Sequence, residues 1–189
     1  MPTTVAALPH QHLHTVEDYY LMAESGILKP EDRVELIEGV IVDMVPIGSK
    51  HGGVVNRLNQ YLVAAVANRA IVSIQNAVRL NDLSEPEPDI ALLKYRDDFY
   101  VEAHPGPSDI LLIVEVANSS LSYDRDIKLP LYAQHNIPQV WLVDLNADEL
   151  WIYSQPQHGS YQKKVKNNLQ QPIVLPEMSG VEIDLSDLF

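Results

Sequence analysis

The sequence predicts a mixed α/β domain, and two observations decide this class. Between residues 110 and 145, the apolar stretch "ILLIVEV", a helical stretch and a second apolar stretch, "QVWLVDL", follow one another. A strand, a helix and a strand in so few residues form a βαβ unit, in which the two strands are parallel. The segments on either side show hairpin signals instead. Because no repeat or flexible linker interrupts the pattern, we predict a single domain over residues 1–189.

The first third of the chain predicts a helix, a hairpin and a second helix. In "HTVEDYYLMAESG", Thr15 is the expected N-cap, Asp18 completes a capping box, and Gly26 follows the helix end. "RVELIEGVIVDMVP" alternates around Glu38 and Gly39, which is typical of a hairpin. Residues 51–68 repeat apolar side chains at helical spacing. These side chains are Val54, Leu58, Leu62, Ala65 and Val66.

The rest of the chain predicts the main sheet. "AIVSIQNAVRL" and "PDIALLK" are expected strands, separated by the turn-rich "NDLSEPEP", and the long loop "YRDDFYVEAHPGPSD" precedes the strand "ILLIVEV". "SLSYDRDIKLPLYAQHNI" predicts a loop and a helix that either begins near Asp126 or kinks at Pro130. "ELWIYSQPQHGSYQKKVK" predicts a C-terminal hairpin, and "VEIDLSDLF" a short last strand.

Composition limits the partners. The 189 residues include 13 basic and 26 acidic side chains, a net charge of −13. A general nucleic-acid binder normally carries a basic surface, so this charge disfavours nucleic acid unless a local basic patch or divalent cations offset it. Without cysteine there are no disulfides or thiolate metal sites. No apolar run is long enough for a membrane span and no secretory signal is visible. We expect a cytoplasmic protein with a flexible tail over residues 1–14.

Glu115 stands near the end of the apolar strand "ILLIVEV", where an unpaired carboxylate would cost several kcal/mol. Such a carboxylate must be neutralised, paired or bound to a cation. Asp89 begins the preceding strand, directly after Pro88, and Lys128 lies in or near the first turn of the following helix. If the two strands pair antiparallel, the start of one lies beside the end of the other. The three charged groups then converge at one edge of the sheet.

This trio predicts metal-assisted hydrolysis of a phosphodiester. Asp89 and Glu115, with the carbonyl of Val116, are the expected ligands of one Mg²⁺ or Mn²⁺ ion. Such an ion activates a bound water and stabilises charge in the transition state. Lys128 would orient the water or neutralise developing charge.

The succession "PDIALL", "ILLIVEVANSS" and "YDRDIKLPLYAQHNIPQVWLVDL" resembles the Uma-two family, a family of unknown function within the PD-(D/E)xK nuclease-like superfamily. The resemblance spans about residues 34–153. It implies a restriction-endonuclease-like core of helix, three strands, helix and strand, and it suggests a homodimer, as do apolar edges such as "LWIYS". By motif position, Asp89 is the superfamily aspartate, Glu115 the second acid, and Glu35 an upstream metal-site acid. The usual lysine position is Ala117, and Lys128 is expected to replace it.

Each candidate also has a structural interpretation. Asp89 could be a turn residue, Glu35 an ordinary strand-end acid, and Lys128 a solvated helix charge that pairs with Asp124. His51 could cap a helix or contact phosphate, and Tyr132 could belong to the core or support the site. The "HQHLH" run, His10 to His14, could bind metal or lie in a disordered terminus. "IGSKHGG" lacks P-loop spacing.

Two functions therefore compete. The first is a magnesium-dependent endonuclease or phosphodiesterase built on Asp89, Glu115 and Lys128 with Glu35. The second is a nuclease-like module without turnover that serves binding or assembly, which the acidic charge and Ala117 favour. A glycosidase with two carboxylates does not require the lysine and is the weakest interpretation.

Overall fold

The first elements of the computed structural model, which describes residues 12–29 and 31–189, follow the predicted order. They are helix α1 (Val16–Glu24), the antiparallel strands β1 (Val34–Ile37) and β2 (Val40–Asp43), and helix α2 (Ser49–Val66). Thr15 and Asp18 form the predicted capping box. Glu38 and Gly39 both have positive φ, +49° and +79°, which is the geometry of a tight hairpin turn. The helix and hairpin predictions are confirmed.

The main sheet has six strands among the described residues. These are β3 (Ala70–Ile74), β4 (Ile90–Lys94), β5 (Ile110–Ala117), β6 (Gln139–Asp144), β7 (Glu149–Gln157) and β8 (Ser160–Asn167). They lie side by side in chain order, with β5 and β6 parallel and the other neighbours antiparallel. A 3₁₀ turn (Pro107–Asp109) precedes β5, and a small pair, β9 (Ile173–Val174) and β10 (Glu182–Ile183), follows β8. The mixed α/β class and the βαβ unit are confirmed.

Strand β5 lies at the centre of the molecule, and all eight of its residues are buried. Its side chains alternate between two apolar clusters. Val114 and Val116 pack in the cluster that includes α2, whereas Ile113 and Ala117 pack in the cluster on the opposite face. By the same alternation, Glu115 points to the second face. A strand buried on both faces must be almost entirely apolar, so Glu115 is the exception that needs an explanation.

The helical segment after β5 is continuous rather than broken. It consists of α3 (Leu121–Tyr123), a π-helical turn (Asp124–Lys128) and α4 (Leu129–Gln134). The sequence predicted a start near Asp126 or a kink at Pro130; instead, the widened turn accommodates the proline. The amide N–H of Leu129 bonds the carbonyl of Asp124, five residues back, and Pro130 follows in the first turn of α4. Proline cannot donate the next bond, and a π turn relieves the conflict.

Three further predictions need correction. "AIVSIQNAVRL" is a strand only over β3, because Gln75 has φ +50° and the chain then leaves the sheet. "LWIYS" is not an edge, because β7 is paired on one side with β6 and on the other with β8. Lys128 lies well inside the helical segment rather than in its first turn. The homodimer stays a prediction.

The predicted tail lies mostly outside the described residues, which begin at His12. The amide of His14 donates to the carbonyl of Gly39 at 2.9 Å, so residue 14 is attached to the β1–β2 turn. Among the described residues, no helix is both long and apolar enough to cross a bilayer.

We predict that Gly39→Ala destabilises the protein by about 1–3 kcal/mol. Gly39 has φ +79°, and an added Cβ would lie 2.6 Å from the Cβ of Leu13. Gly53→Ala is the matched control, because Gly53 lies inside α2 with no atom within 4 Å of an added Cβ. That change should stabilise the protein by up to about 1 kcal/mol. Urea unfolding measures the free energy of unfolding of both variants. An equal change in the two would contradict the prediction.

Candidate functional site

A pocket of about 290 Å³ lies where β5 ends, and the structure brings all four predicted site acids and bases into its lining. Its walls come from the β1–β2 hairpin and the loop after it, the start of α2, the start of β4, the end of β5 and the π-helical turn. The charged and polar residues of the lining include Glu35, His51, Asp89, Glu115 and Lys128. An apolar wall on one side is formed by Val42, Met44, Val45, Pro46 and Ile47.

Strand register brings Asp89 and Glu115 together. Ile90 pairs with Val114 in the antiparallel ladder between β4 and β5, so the next residues outward, Asp89 and Glu115, lie side by side on one face. The Asp89 amide donates to Glu115 Oε2 at 3.4 Å, and the Val116 amide donates to Asp89 Oδ2 at 2.9 Å. The backbone therefore fixes both carboxylates relative to one another.

Lys128 reaches the same point from the π-helical turn. Its side chain is only 5% exposed, and Nζ lies 3.0 Å from Glu35 Oε2 and 3.2 Å from Glu115 Oε1. Asp124, its expected surface partner, instead accepts a hydrogen bond of 2.7 Å from the Ser120 hydroxyl. Lys128 is thus a buried bridge between the hairpin and the central strand, and the interpretation as a solvated helix charge is wrong.

Tyr132 holds the other side of the Glu115 carboxylate. Its hydroxyl donates to Glu115 Oε1 at 2.6 Å, and the ring is fully buried. Tyr132 follows Lys128 by four residues, so both side chains point from the same face of the helix. Both interpretations given for Tyr132 hold, because the ring packs in the core and the hydroxyl supports the site.

His51 is placed against Asp89. Its Nε2 lies 3.0 Å from Asp89 Oδ2, and the side-chain amide of Gln75 donates from Nε2 to Oδ1 of the same carboxylate at 3.3 Å. The hydrogen bond to Asp89 raises the pKa of His51, although partial burial opposes it. His51 does not cap α2, because Gly48 occupies that position.

The pocket holds more negative than positive charge. Burial raises the pKa of Glu115 to about 8, although Lys128 opposes the shift. Burial disfavours the Lys128 ammonium, but Glu115 and Glu35 attract it strongly enough to raise its pKa. Burial also raises the pKa of Asp124. The lining contains six acidic side chains and two permanently basic ones; the acids are Glu35, Asp43, Glu87, Asp89, Glu115 and Asp124, and the bases are Arg33 and Lys128.

The donor set fits a cation that prefers oxygen. Among the described residues, no three His, Cys, Asp or Glu side chains form a ready metal cluster. Two carboxylates, Asp89 and Glu115, nevertheless lie adjacent and face an acidic pocket, and Val116 lines it. Mg²⁺ is commonly held by one or two carboxylates and keeps several waters, so a complete protein cage is not required. The metal role of these residues stays a prediction.

Sequence reasoning missed several neighbours of the pocket. Asp124 was considered only as a surface partner, yet it is buried and its Ser120 contact lies at i,i+4 spacing. The amide of Glu87 donates to Glu35 Oε2 at 3.1 Å, which no motif indicates. Elsewhere, the described part of the "HQHLH" run, His12 and His14, belongs to no metal cluster, and His10 lies outside the described residues.

Comparison with known proteins supports the fold. A model of the Uma2 family, described as "Putative restriction endonuclease", matches residues 16–186. The crystal structure of "a putative nuclease belonging to DUF820" from Anabaena variabilis is similar, with a TM-score of 0.71, 17% identity, and coverage of 93% of this chain and 97% of that one. At this identity the likeness concerns the fold. A comparison with curated proteins found no significant match.

We predict that Glu115 makes stability depend on pH. Its folded pKa of about 8 exceeds the ordinary 4.5, so between these values the folded state keeps a proton that the unfolded state loses. The free energy of unfolding should therefore fall as pH rises from about 5 to 8, by several kcal/mol at most, since one pKa unit is worth about 1.4 kcal/mol. Urea unfolding with chelator compares wild type with Glu115→Gln. If the difference in the free energy of unfolding between wild type and Glu115→Gln does not change with pH, the raised pKa of Glu115 is contradicted.

Proposed function

Because this chain belongs to the Uma2 family, we propose that it is a nuclease that hydrolyses phosphodiesters with Mg²⁺ or Mn²⁺. One observation carries the proposal: Asp89 and Glu115, which lie opposite one another on neighbouring strands, share a pocket with the buried ammonium of Lys128. Two acids and a lysine at the end of a central strand can support hydrolysis of a phosphodiester, and the family is described as "Putative restriction endonuclease".

Asp89 and Glu115 would hold the cation. When bound, that ion supplies a Lewis acid and lowers the pKa of a coordinated water. The Val116 and Asp89 amides position the two carboxylates, so little rearrangement is needed before they bind. His51 and Gln75 orient the Asp89 carboxylate from the far side.

Lys128 would act on the reacting phosphate group. Its ammonium lies between Glu35 and Glu115, within 3.2 Å of an oxygen of each, so it stays protonated and fixed in direction. A fixed ammonium beside the scissile group can orient the attacking water and stabilise the charge that develops on phosphate oxygens. The lysine thereby performs, from the helix, the task of the missing strand lysine at position 117, where Ala117 is buried.

A second candidate function, a nuclease-like module without turnover, is favoured by one observation. The Lys128 ammonium is already engaged by two carboxylates, Glu35 and Glu115, in a closed network. A network of this kind can serve as a structural link between the hairpin and the sheet. Metal binding and cleavage measured separately distinguish the two functions.

We predict that Mn²⁺ at about 1 mM raises the melting temperature. A ligand that binds only the folded state stabilises it by mass action, and here it also relieves the repulsion among pocket carboxylates. Asp89→Asn and Glu115→Gln should each abolish the response. Glu177→Gln is the control, because Glu177 is exposed outside the pocket. An equal response in all variants would show that the ion binds elsewhere.

We predict cleavage at low salt with Mg²⁺ or Mn²⁺, tested on single-stranded, duplex and branched DNA and on RNA. Lys128→Met should lower the rate by roughly 100-fold or more, a larger effect than on metal affinity, since the ammonium acts on the transition state. Asp89→Asn should lower both. Cleavage that survives in both variants would indicate contamination and contradict the proposal. A wild type that binds metal but cleaves nothing would support the non-catalytic module.

A further inference from the structure

The β7–β8 hairpin carries concentrated positive charge in a strongly acidic chain. Residues 150–176 contain no aspartate or glutamate, although the chain has 26 of them. Three of its 13 basic residues, Lys163, Lys164 and Lys166, lie within four positions of β8. Strand β8 is an edge of the sheet, and all three lysines are exposed.

The register connects these lysines to the pocket. Glu115 pairs with Leu142, Leu142 with Trp151, and Trp151 with Lys166, which makes one row across four strands. Paired residues in a row project on the same face of a sheet, so Lys166 lies on the face of Glu115. Three strand spacings separate them, roughly 14 Å. Arg125, on the same helical turn as Lys128, is also exposed.

Little negative charge neutralises this surface. Among the described residues, neither Lys163 nor Lys164 forms a salt bridge, and Lys166 pairs with Glu149, whose carboxylate lies on the adjacent strand. The Lys164 ammonium lies 4.2 Å from the centre of the Trp151 ring and 5.4 Å from that of Tyr153. This cation–π contact fixes the side chain along the sheet face without removing its charge.

Lysines on an edge strand also discourage pairing with another sheet, which is a common reason for their presence. That role explains exposed lysines at any edge. It does not explain why residues 150–176 lack acids in a chain with net charge −13, nor why Lys164 and Lys166 lie on the same face of the sheet as Glu115.

We propose that Lys164 and Lys166 form a binding surface for the sugar–phosphate backbone of nucleic acid. This inference rests on the proposed function, because it supplies the attraction that the acidic chain otherwise lacks for a phosphodiester in the pocket. The straight separation of roughly 14 Å corresponds to about four nucleotides of one strand. Leu142, between the two places, is buried beneath the helical segment, so a strand bound at the lysines would reach the pocket over that segment, where Arg125 is exposed. The contacts are to phosphate and are independent of base sequence.

The test measures binding of a labelled 20-base-pair DNA and of its single strands by fluorescence anisotropy, in EDTA, over a series of salt concentrations. Lys164→Gln/Lys166→Gln is compared with Arg69→Gln/Lys94→Gln, which removes two charges at the opposite edge of the sheet, where residue 70 pairs with Lys94. Circular dichroism checks that each variant is folded. Anionic phospholipid vesicles serve as a second polyanionic probe.

The β8 variant should bind duplex DNA more weakly, with the slope of log K against log salt reduced by up to about 1.8, or 0.9 per phosphate contact. The control variant should bind like wild type. Equal affinity of the two variants, no DNA binding by wild type at low salt, or binding to vesicles alone would overturn the inference. Cleavage that persists unchanged in the β8 variant would overturn it and leave the proposed function standing. DNA binding that depends on Lys164 and Lys166, without cleavage, would support the inference and contradict the proposed function.

Discussion

A buried ammonium held between two acidic side chains is the interaction on which the rest of the site depends. Lys128 joins Glu35 of the hairpin to Glu115 of the central strand, and all three side chains are almost inaccessible to water. Taking these charges out of water is costly, and attraction between them offsets the cost only if the geometry is well fixed. The fold supplies that geometry through three separate elements. Each element has a local reason for its shape.

The hairpin, the β4–β5 register and the π-helical turn each position one member of the site. Positive φ at Glu38 and Gly39 closes the hairpin that carries Glu35. The antiparallel register sets Asp89 beside Glu115. The π turn before Pro130 directs Lys128 inward rather than to solvent. Because Lys128 and Arg33 cannot balance the six acidic side chains of the lining, the pocket attracts further positive charge. A divalent cation would supply that charge, and the same acids that make the metal-free pocket unfavourable would then be its ligands.

Much of this could be predicted from the sequence, for identifiable physical reasons. Apolar periodicity and turn residues fixed the elements, since burial and backbone strain act locally. The position of Asp89 beside Glu115 followed from the assumption that their two strands pair antiparallel. The buried position of Asp124 could not be derived in this way, because it depends on how far the helix turns after the strand. The π-helical turn at Asp124–Lys128 accommodates a single proline, Pro130. The directions in which it points its side chains depend on tertiary packing rather than on the local sequence. That β8 lies at an edge of the sheet also could not be predicted, because the hydrophobic pattern does not determine the order of the strands.

Proton release on cation binding reports directly on the charge state of the buried acids. Isothermal titration of Mn²⁺ into the protein at pH 7, in two buffers of different ionisation enthalpy, counts the protons that leave. Since the pKa of Glu115 is raised to about 8, its carboxyl is mostly protonated before the ion binds. The account predicts release of close to one proton per bound ion in wild type and none in Glu115→Gln. Tight binding of Mn²⁺ with no buffer dependence would contradict it, because the buried carboxylates would then already be fully balanced by Lys128.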